Sequence, residues 1–194
     1  MIYSTPEKWL ASPQAQTNGK KSMGDYYQSI VGDYLRADRS VFVNPECYIQ
    51  LKPGKQPPKG SSWYCDALAV DFGSDHSEPA TIFLCEVTYS SSLQALIKRL
   101  KEWNDNWSDI RIALARDSNL PADWTARVWL YVPKDQLRKL VDGLEKIGNG
   151  FLQRLSPRIT TLEMAQPWKY NNYNRVNEDF ELKRLDGVPR SFWG

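Results

Sequence analysis

Hydrophobic positions along the first half of this chain change from a helical to a strand-like period. A 3.6-residue period predicts a helix over about 23–37, and Ser22 is placed to cap its N-terminus. Two strand-like runs follow, "SVFVNPECYIQL" and "SSWYCDALAVDF", separated by the loop "KPGKQPPKG". Because that loop is rich in Pro and Gly, we expect an antiparallel pair of strands. "TIFLCEVTYSS" is typical of a third, buried strand.

The second half continues with alternating helices and strands. "SSLQALIKRLKEWNDNW" predicts a helix, "DIRIALA" and "TARVWLYV" predict strands, and "KDQLRKLVDGLEKIG" predicts a helix that ends at Gly148. "RITTLEM" is interpreted as a last strand. This order favours an α/β fold with a mixed β-sheet sandwiched between helices. Its first three strands form a meander, and the strand–helix–strand step over 82–115 is a parallel crossover.

Three segments are expected along the 194 residues. Residues 1–21 form an N-terminal arm, 22–165 the α/β core, and 166–194 a C-terminal tail that docks on the core. No apolar run approaches the roughly 20 residues that a membrane-spanning helix needs. The N-terminus also lacks the apolar stretch of a secretory signal. We therefore expect a soluble, cytoplasmic protein that does not bind membranes.

Composition narrows the chemistry only slightly. The 25 basic and 23 acidic residues give a net charge of +2, which neither requires nor excludes a nucleic-acid partner. Cys47, Cys65 and Cys85 have no C-x-x-C spacing, and His76 is the single histidine. These residues do not suggest a zinc site, so we interpret the cysteines as buried, reduced thiols and assign His76 no role.

Two acids stand out within the strand-like runs. Strand alternation places Glu86 and Thr88 on one face, and Asp66 occupies a matching position in the preceding strand. If the dipeptides Cys65-Asp66 and Cys85-Glu86 are neighbours, both thiols point to one face and both acids to the other. Converging carboxylates repel each other, and neither strand supplies a cation, so Mg²⁺ would compensate the charge. Alternatively, each acid is a structural residue at an exposed strand end.

This arrangement resembles the PD-(D/E)XK nuclease superfamily over approximately residues 22–132. The shared order is helix, strand, strand with Asp, strand with Glu-x-Lys, and helix, which implies a restriction-endonuclease-like αβββαβ core. By this resemblance Asp66 and Glu86 bind Mg²⁺ or Mn²⁺, and the backbone carbonyl of Val87 adds a ligand. The family's lysine, which helps orient and activate the attacking water, is replaced here by Thr88.

The resemblance also suggests helpers outside the strands. In some members the lysine lies on the following helix, where Lys98 is the candidate, with Gln94 one turn before it. The alternative for Lys98 is an ordinary solvated lysine. Members often carry an acid on the first helix that reaches the metal, and Asp25 and Asp33 both qualify. Asp71 is interpreted as a turn residue that points to the opposite face.

The sequence therefore predicts a magnesium-dependent endonuclease that acts on DNA, as a homodimer or with a partner subunit. One alternative is an inactive nuclease-like module that binds nucleic acid or a protein, and another is an α/β interaction protein with surface acids. Two further groups are candidates for contacting nucleic acid, although a solvated loop and a docked tail are the more common explanations of such groups. These are the basic loop residues Lys52, Lys55 and Lys59 and the tail residues Trp168, Lys169, Tyr170, Tyr173 and Arg175.

Overall fold

The computed structural model describes residues 23–51, 62–73, 79–148, 150–169 and 180–181. Its helices are α1 (Met23–Arg36), α2 (Gln94–Asp105), α3 (Trp107–Ser118), α4 (Leu137–Ile147) and α5 (Gly150–Leu155), and a 3-10 turn, Lys134–Gln136, precedes α4. Its strands are β1 (Val41–Gln50), β2 (Ser62–Asp71), β3 (Thr81–Val87), β4 (Thr125–Val132), β5 (Arg158–Thr161) and β6 (Phe180–Glu181). Several predictions lie outside these residues: the arm 1–21, the cap Ser22, the loop lysines Lys52, Lys55 and Lys59, His76, Tyr170, Tyr173 and Arg175.

The six described strands form one mixed sheet in the order β1-β2-β3-β4-β5-β6. β1, β2 and β3 pair antiparallel, β3, β4 and β5 pair parallel, and β6 returns antiparallel to β5. The predicted α/β class, the mixed sheet and the initial meander are confirmed. A parallel connection also follows β3, but it leads to β4 at Thr125–Val132 rather than to 109–115.

Helices cover both faces of the sheet. α1 buries Ile30, Val31, Tyr34 and Leu35 against one face, where Phe83, Cys85, Trp129 and Tyr131 point. The other face carries Leu84 and Leu130, which pack with buried residues of α2, α3, α4 and α5 such as Leu100, Ile110, Leu140 and Phe151. Glu86 has the same strand parity as Leu84, so its side chain belongs to the second layer. None of the described helices is both long and apolar enough to cross a membrane.

The strand predicted for "DIRIALA" is wrong, because these residues form most of α3. The apolar residues of this segment fit both the two-residue period of a strand and the 3.6-residue period of a helix. The pattern of buried side chains distinguishes the two. Trp107, Ile110, Ala113 and Leu114 are buried at helical spacing, whereas Ile112 is 65% exposed. α3 ends before Asn119, which adopts the left-handed conformation at φ 50° that asparagine tolerates.

All three cysteines are buried free thiols, as the sequence predicts. The expectation that Cys65 and Cys85 share a face is wrong. Cys65 packs with Cys47 and Ile49 in the layer of α2–α5, whereas Cys85 packs in the layer of α1. Ala67, two residues from Cys65, belongs to the α1 layer, so strict alternation is lost in β2 near Asp66.

Candidate active site at the end of β3

Glu86 lies at the carboxyl end of β3, where the parallel strands β3 and β4 run side by side. Only 3% of the residue is exposed. Its Oε2 atom accepts a hydrogen bond from Arg99 Nη1 of α2 at 2.5 Å. Its Oε1 atom is buried and has no hydrogen-bond partner within the described part of the chain. Half of this carboxylate is thus available to a ligand.

Asp66 is positioned beside Glu86 by the pairing of β2 with β3. Ala67 pairs with Cys85, so Asp66 and Glu86 are the next positions in the same register. Asp66 Oδ1 accepts a hydrogen bond from Gln28 Nε2 of α1, and Oδ2 accepts one from the backbone N–H of Val87, each at 2.7 Å. The structure therefore brings the two predicted acids together and fixes Asp66 from two elements. The expectation that both acids point to one face is wrong, because Gln28 of α1 contacts Asp66 on one face and Arg99 of α2 contacts Glu86 on the other.

The environment of Glu86 favours its protonated form. Burial raises the pKa of Glu86 to about 8, and the negative charge of Asp66 contributes to the rise, while Arg99 opposes it. Burial, with Glu86 and Asp66 nearby, also raises the pKa of the Cys85 thiol far above its usual range. A second positive charge at this point would replace the proton on Glu86 and stabilise both carboxylates.

Arg99 is the residue that sequence reasoning missed. Lys98 and Gln94 are exposed on α2 and line a groove towards α4, and neither contacts Glu86. Arg99 lies three residues after buried Leu96 and four before buried Trp103, so it borders the other edge of the apolar stripe. That spacing was a signal, but the sequence does not show which edge faces the sheet.

Thr88 continues the pairing of β3 with β4 one residue beyond the strand. Its backbone N–H donates to the Tyr131 carbonyl at 2.9 Å, and its side chain is half-buried. The hydroxyl group therefore lies just past Glu86 at the same edge of the sheet. Val87, expected to offer its carbonyl to a metal, contributes its N–H to Asp66 instead. A role for the Val87 carbonyl stays a prediction.

The first helix contributes an amide to this site. Asp33 forms an exposed ion pair with Arg36 at 3.6 Å, so the structure does not place it at the carboxylates. Asp25 is exposed in the first turn of α1. Tyr27, the neighbour of Gln28, stacks on Tyr89 with ring centroids 5.6 Å apart. This stack holds the N-terminal half of α1 over the residues that follow β3.

Other candidates lie elsewhere. Asp71, at the far end of β2 from Asp66, accepts hydrogen bonds from Gly73 N at 2.9 Å and Ser40 Oγ at 3.2 Å. Gly73 has φ +68°, so Asp71 is confirmed as a turn residue. Trp168 is 74% exposed and Lys169 is also exposed, so a nucleic-acid contact by these tail residues stays a prediction.

The donor set fits a small, hard cation that keeps several waters. Over the described ranges, no group of three or more His, Cys, Asp or Glu could hold a metal ion. Mg²⁺, however, is often bound by only one or two carboxylates plus waters and substrate phosphate. Among the described residues Glu86 Oε1 has no partner, and an ionised carboxylate oxygen such as those of Asp66 accepts more than one contact. Asp66 and Glu86 are therefore the residues that could hold Mg²⁺ or Mn²⁺.

Comparison of the chain with protein-family models, with curated proteins and with solved structures found no match. The function is therefore argued from the site itself.

Proposed function

We propose that this protein is a divalent-metal-dependent nuclease that hydrolyses phosphodiester bonds in DNA, with Asp66 and Glu86 as the ligands of Mg²⁺ or Mn²⁺. The observation that carries the proposal is the buried Glu86 carboxyl group beside Asp66, whose Oε1 atom lacks a partner among the described residues. Arg99 pairs with only one oxygen of Glu86, and a buried carboxylate that is incompletely paired costs free energy, so it gains from a ligand that brings positive charge.

The position of the pair in the fold supports this function. Ligands of α/β proteins bind outside the carboxyl ends of parallel strands, which is where Glu86 lies on β3. The order α1, β1, β2, β3, α2 and then the parallel β4 also agrees with the αβββαβ core that the resemblance implies. A restriction-endonuclease-like core is accordingly part of the proposal.

The residues around the carboxylates hold them in place for such chemistry. Gln28 and the Val87 N–H fix the two oxygens of Asp66, and Arg99 fixes one oxygen of Glu86. When bound, the metal ion would activate a water molecule and stabilise the charge on the phosphate. Thr88 offers a hydroxyl that can orient this water, and Arg99 provides the positive charge that threonine lacks.

A second candidate function is a nuclease-like module that binds nucleic acid or a protein without cleavage. The favouring observation is that Arg99 already pairs with Glu86, while Thr88 occupies the position of the family's lysine. A guanidinium that is always charged can compensate one of the two acids without metal. A protein of this kind would have the same fold but would not hydrolyse phosphodiester bonds.

The decisive experiment combines calorimetric titration of Mn²⁺ with a plasmid-nicking assay in Mg²⁺. We expect wild-type protein to bind Mn²⁺ and nick the plasmid, and Asp66→Asn and Glu86→Gln to lose both while keeping their circular dichroism spectra and DNA affinity. Asp33→Asn, which changes an exposed acid, serves as the control and should behave as wild type.

The outcomes separate the candidate functions. DNA binding without metal affinity or nicking would favour the non-catalytic module. If the protein binds neither metal nor DNA, both functions are wrong and the acids are structural residues.

A further inference from the structure

A groove of about 680 Å³ lies between α2 and α4. Its walls carry four exposed lysines: Lys98 and Lys101 on α2, and Lys139 and Lys146 on α4. On each helix these residues occupy one face, because residues three, four and seven apart project in similar directions. Lys139 and Lys146 are two turns apart, roughly 10 Å along the helix axis. The groove is therefore an elongated, basic track.

The floor of the groove fixes the distance between its walls. Ile97 of α2 packs so tightly on Gly143 of α4 that a Cβ atom on Gly143 would lie 2.6 Å from Ile97 Cδ1. A side chain at 143 would require Ile97 or the helices to shift. Ile97 and Gly143 thus form a close contact between α2 and α4 at the floor of the groove.

The charge of the groove is unbalanced. Asp142 is the single acid among its lining residues, and none of the four lysines lies within ion-pair distance of a carboxylate in the described part of the chain. Four lysines and one aspartate give the lining residues a net charge of +3, against +2 for the whole chain. Exposed, unpaired lysines of this kind neutralise phosphate groups and release counterions.

One end of the groove lies at the segment that follows β3. α2 follows β3 and α4 follows β4, and the carboxyl ends of these neighbouring parallel strands form one edge of the sheet. Ser91 lies five residues after Glu86 and lines the groove, and its carbonyl accepts a hydrogen bond from Lys139 Nζ at 3.4 Å. Arg99, which contacts Glu86, does not line the groove. The groove is therefore a surface separate from the carboxylates, and α2 lies between the two.

We propose that the groove between α2 and α4 binds the sugar-phosphate backbone of DNA. The inference rests on the proposed function, because it names the surface by which the nuclease holds its substrate. The groove residues include no aromatic side chain that could stack on bases. Contacts to phosphates position a nucleic acid without reading its sequence, so binding here is independent of sequence.

The test compares two charge-matched quadruple variants with wild type. The groove variant is Lys98→Gln, Lys101→Gln, Lys139→Gln and Lys146→Gln. The control variant changes four exposed basic residues that do not line the groove: Arg36→Gln, Arg39→Gln, Arg111→Gln and Lys134→Gln. Affinity for a fluorescent DNA duplex is measured by anisotropy between 50 and 200 mM salt, with EDTA present so that metal binding and cleavage do not contribute.

We expect the groove variant to bind at least about tenfold more weakly, and the slope of log affinity against log salt to fall by about 0.9 for each lysine that neutralises a phosphate. The control variant should stay within about twofold of wild type. If the groove variant binds as wild type does, if both variants weaken equally, or if wild type has no DNA affinity, the inference is wrong. Should the quadruple variant fail to fold, the double variant Lys98→Gln with Lys139→Gln gives the same test.

The result is distinguishable from that of the metal experiment. The groove variant keeps Asp66 and Glu86, so its Mn²⁺ affinity should equal that of wild type. Suppose that the groove substitutions abolish the salt-dependent DNA affinity but that wild type does not bind metal. The groove proposal would then stand, and the proposed nuclease function would be wrong. If wild type binds metal and nicks DNA, and the groove variant has the DNA affinity of wild type, the groove proposal alone would be wrong.

Discussion

At the scale of residues, the two oxygens of Glu86 have different surroundings. One oxygen is held by Arg99, and the other is buried without a partner among the described residues. Asp66 adds a second negative charge, so one guanidinium faces two carboxyl groups. A proton or a metal ion is needed to balance this cluster, and the raised pKa of Glu86, about 8, shows that the proton takes this position when no metal is bound.

The charge of Glu86 should make the stability of wild-type protein depend on pH. Its pKa of about 8 in the folded state exceeds the usual value of 4.5, so the folded state retains a proton that the unfolded chain releases. The resulting stabilisation is fully present below about pH 4.5 and is lost as pH rises through about 8. Since one pKa unit corresponds to about 1.4 kcal/mol, the loss amounts to a few kcal/mol at most.

Glu86→Gln removes this titration while keeping the size of the side chain. We expect its free energy of unfolding, measured in urea without metal at pH 5, 7 and 9, to vary less with pH than that of wild type and to exceed it at pH 9. Asp33→Asn, at an exposed position, controls for general effects of charge. Parallel curves for wild type and Glu86→Gln would show that Glu86 is ionised throughout this range.

At the scale of elements, Gly143 determines how closely α2 and α4 approach. In most helices Gly→Ala gains about 0.5–1 kcal/mol, but here the new Cβ would lie 2.6 Å from Ile97 Cδ1. We therefore expect Gly143→Ala to destabilise the protein by about 1–3 kcal/mol through overpacking. Gly32→Ala in α1 is the matched control, because its Cβ meets only the flexible end of Arg36 at 3.1 Å.

Chemical denaturation of these variants gives their free energies of unfolding, which report the cost of overpacking. Adding Ile97→Val or Ile97→Ala to Gly143→Ala should recover part of the lost stability, because the shorter side chain makes room for the methyl group. Equal stabilisation by Gly143→Ala and Gly32→Ala would mean that the two helices adjust at no cost, and the groove between α2 and α4 would then be adaptable.

Elements were predictable where their period was unambiguous and long enough to bury one face. The pairing of β4 with β3 was not predicted, but α1, the meander of β1–β3 and the strand β4 itself meet this condition. "DIRIALA" did not, because seven residues with apolar positions at 110, 112 and 114 satisfy a strand as well as a helix. Only packing against the sheet, which buries Ile110 and Leu114 but exposes Ile112, distinguishes them.

The candidate site was predictable to a similar extent. The antiparallel pairing of β2 with β3 was predicted and brings Asp66 near Glu86, but the loss of alternation near Asp66 was not predicted. The choice of Lys98 over Arg99 depended on the rotation of α2 about its axis, which is set by contacts with the sheet and with Trp103. The contact of Gln28 with Asp66 joins residues 38 positions apart, and no local pattern reveals it.

At the scale of the whole molecule, the carboxylate pair connects the two helical layers. Gln28 reaches Asp66 from α1 on one face of the sheet, and Arg99 reaches Glu86 from α2 on the other. A metal ion held by both acids would therefore link α1, the sheet and α2. Any ligand that binds only the folded state stabilises the entire fold, by about 2.7 kcal/mol at a hundredfold excess over its dissociation constant.

Mn²⁺ should accordingly raise the melting temperature, and more so at pH 8.5 than at pH 6. At pH 6 a proton on Glu86 competes with the metal, whereas above its pKa of about 8 the carboxylate is free to bind. For a chain of this length about 2.7 kcal/mol corresponds to a shift of roughly 5–10 °C at saturating metal. Differential scanning fluorimetry of wild type, Glu86→Gln and Asp66→Asn measures this shift.

Both variants should lose the shift at either pH, while Asp33→Asn should keep it. An equal rise in all four proteins would mean that Mn²⁺ binds elsewhere on the surface. A rise that is larger at pH 6 than at pH 8.5 would contradict the protonation of Glu86, because a ligand that competes with a proton cannot bind more tightly as protons accumulate. If Mn²⁺ stabilises wild type and Asp33→Asn but neither Glu86→Gln nor Asp66→Asn, Asp66 and Glu86 bind it together, since neither of these two variants retains the pair.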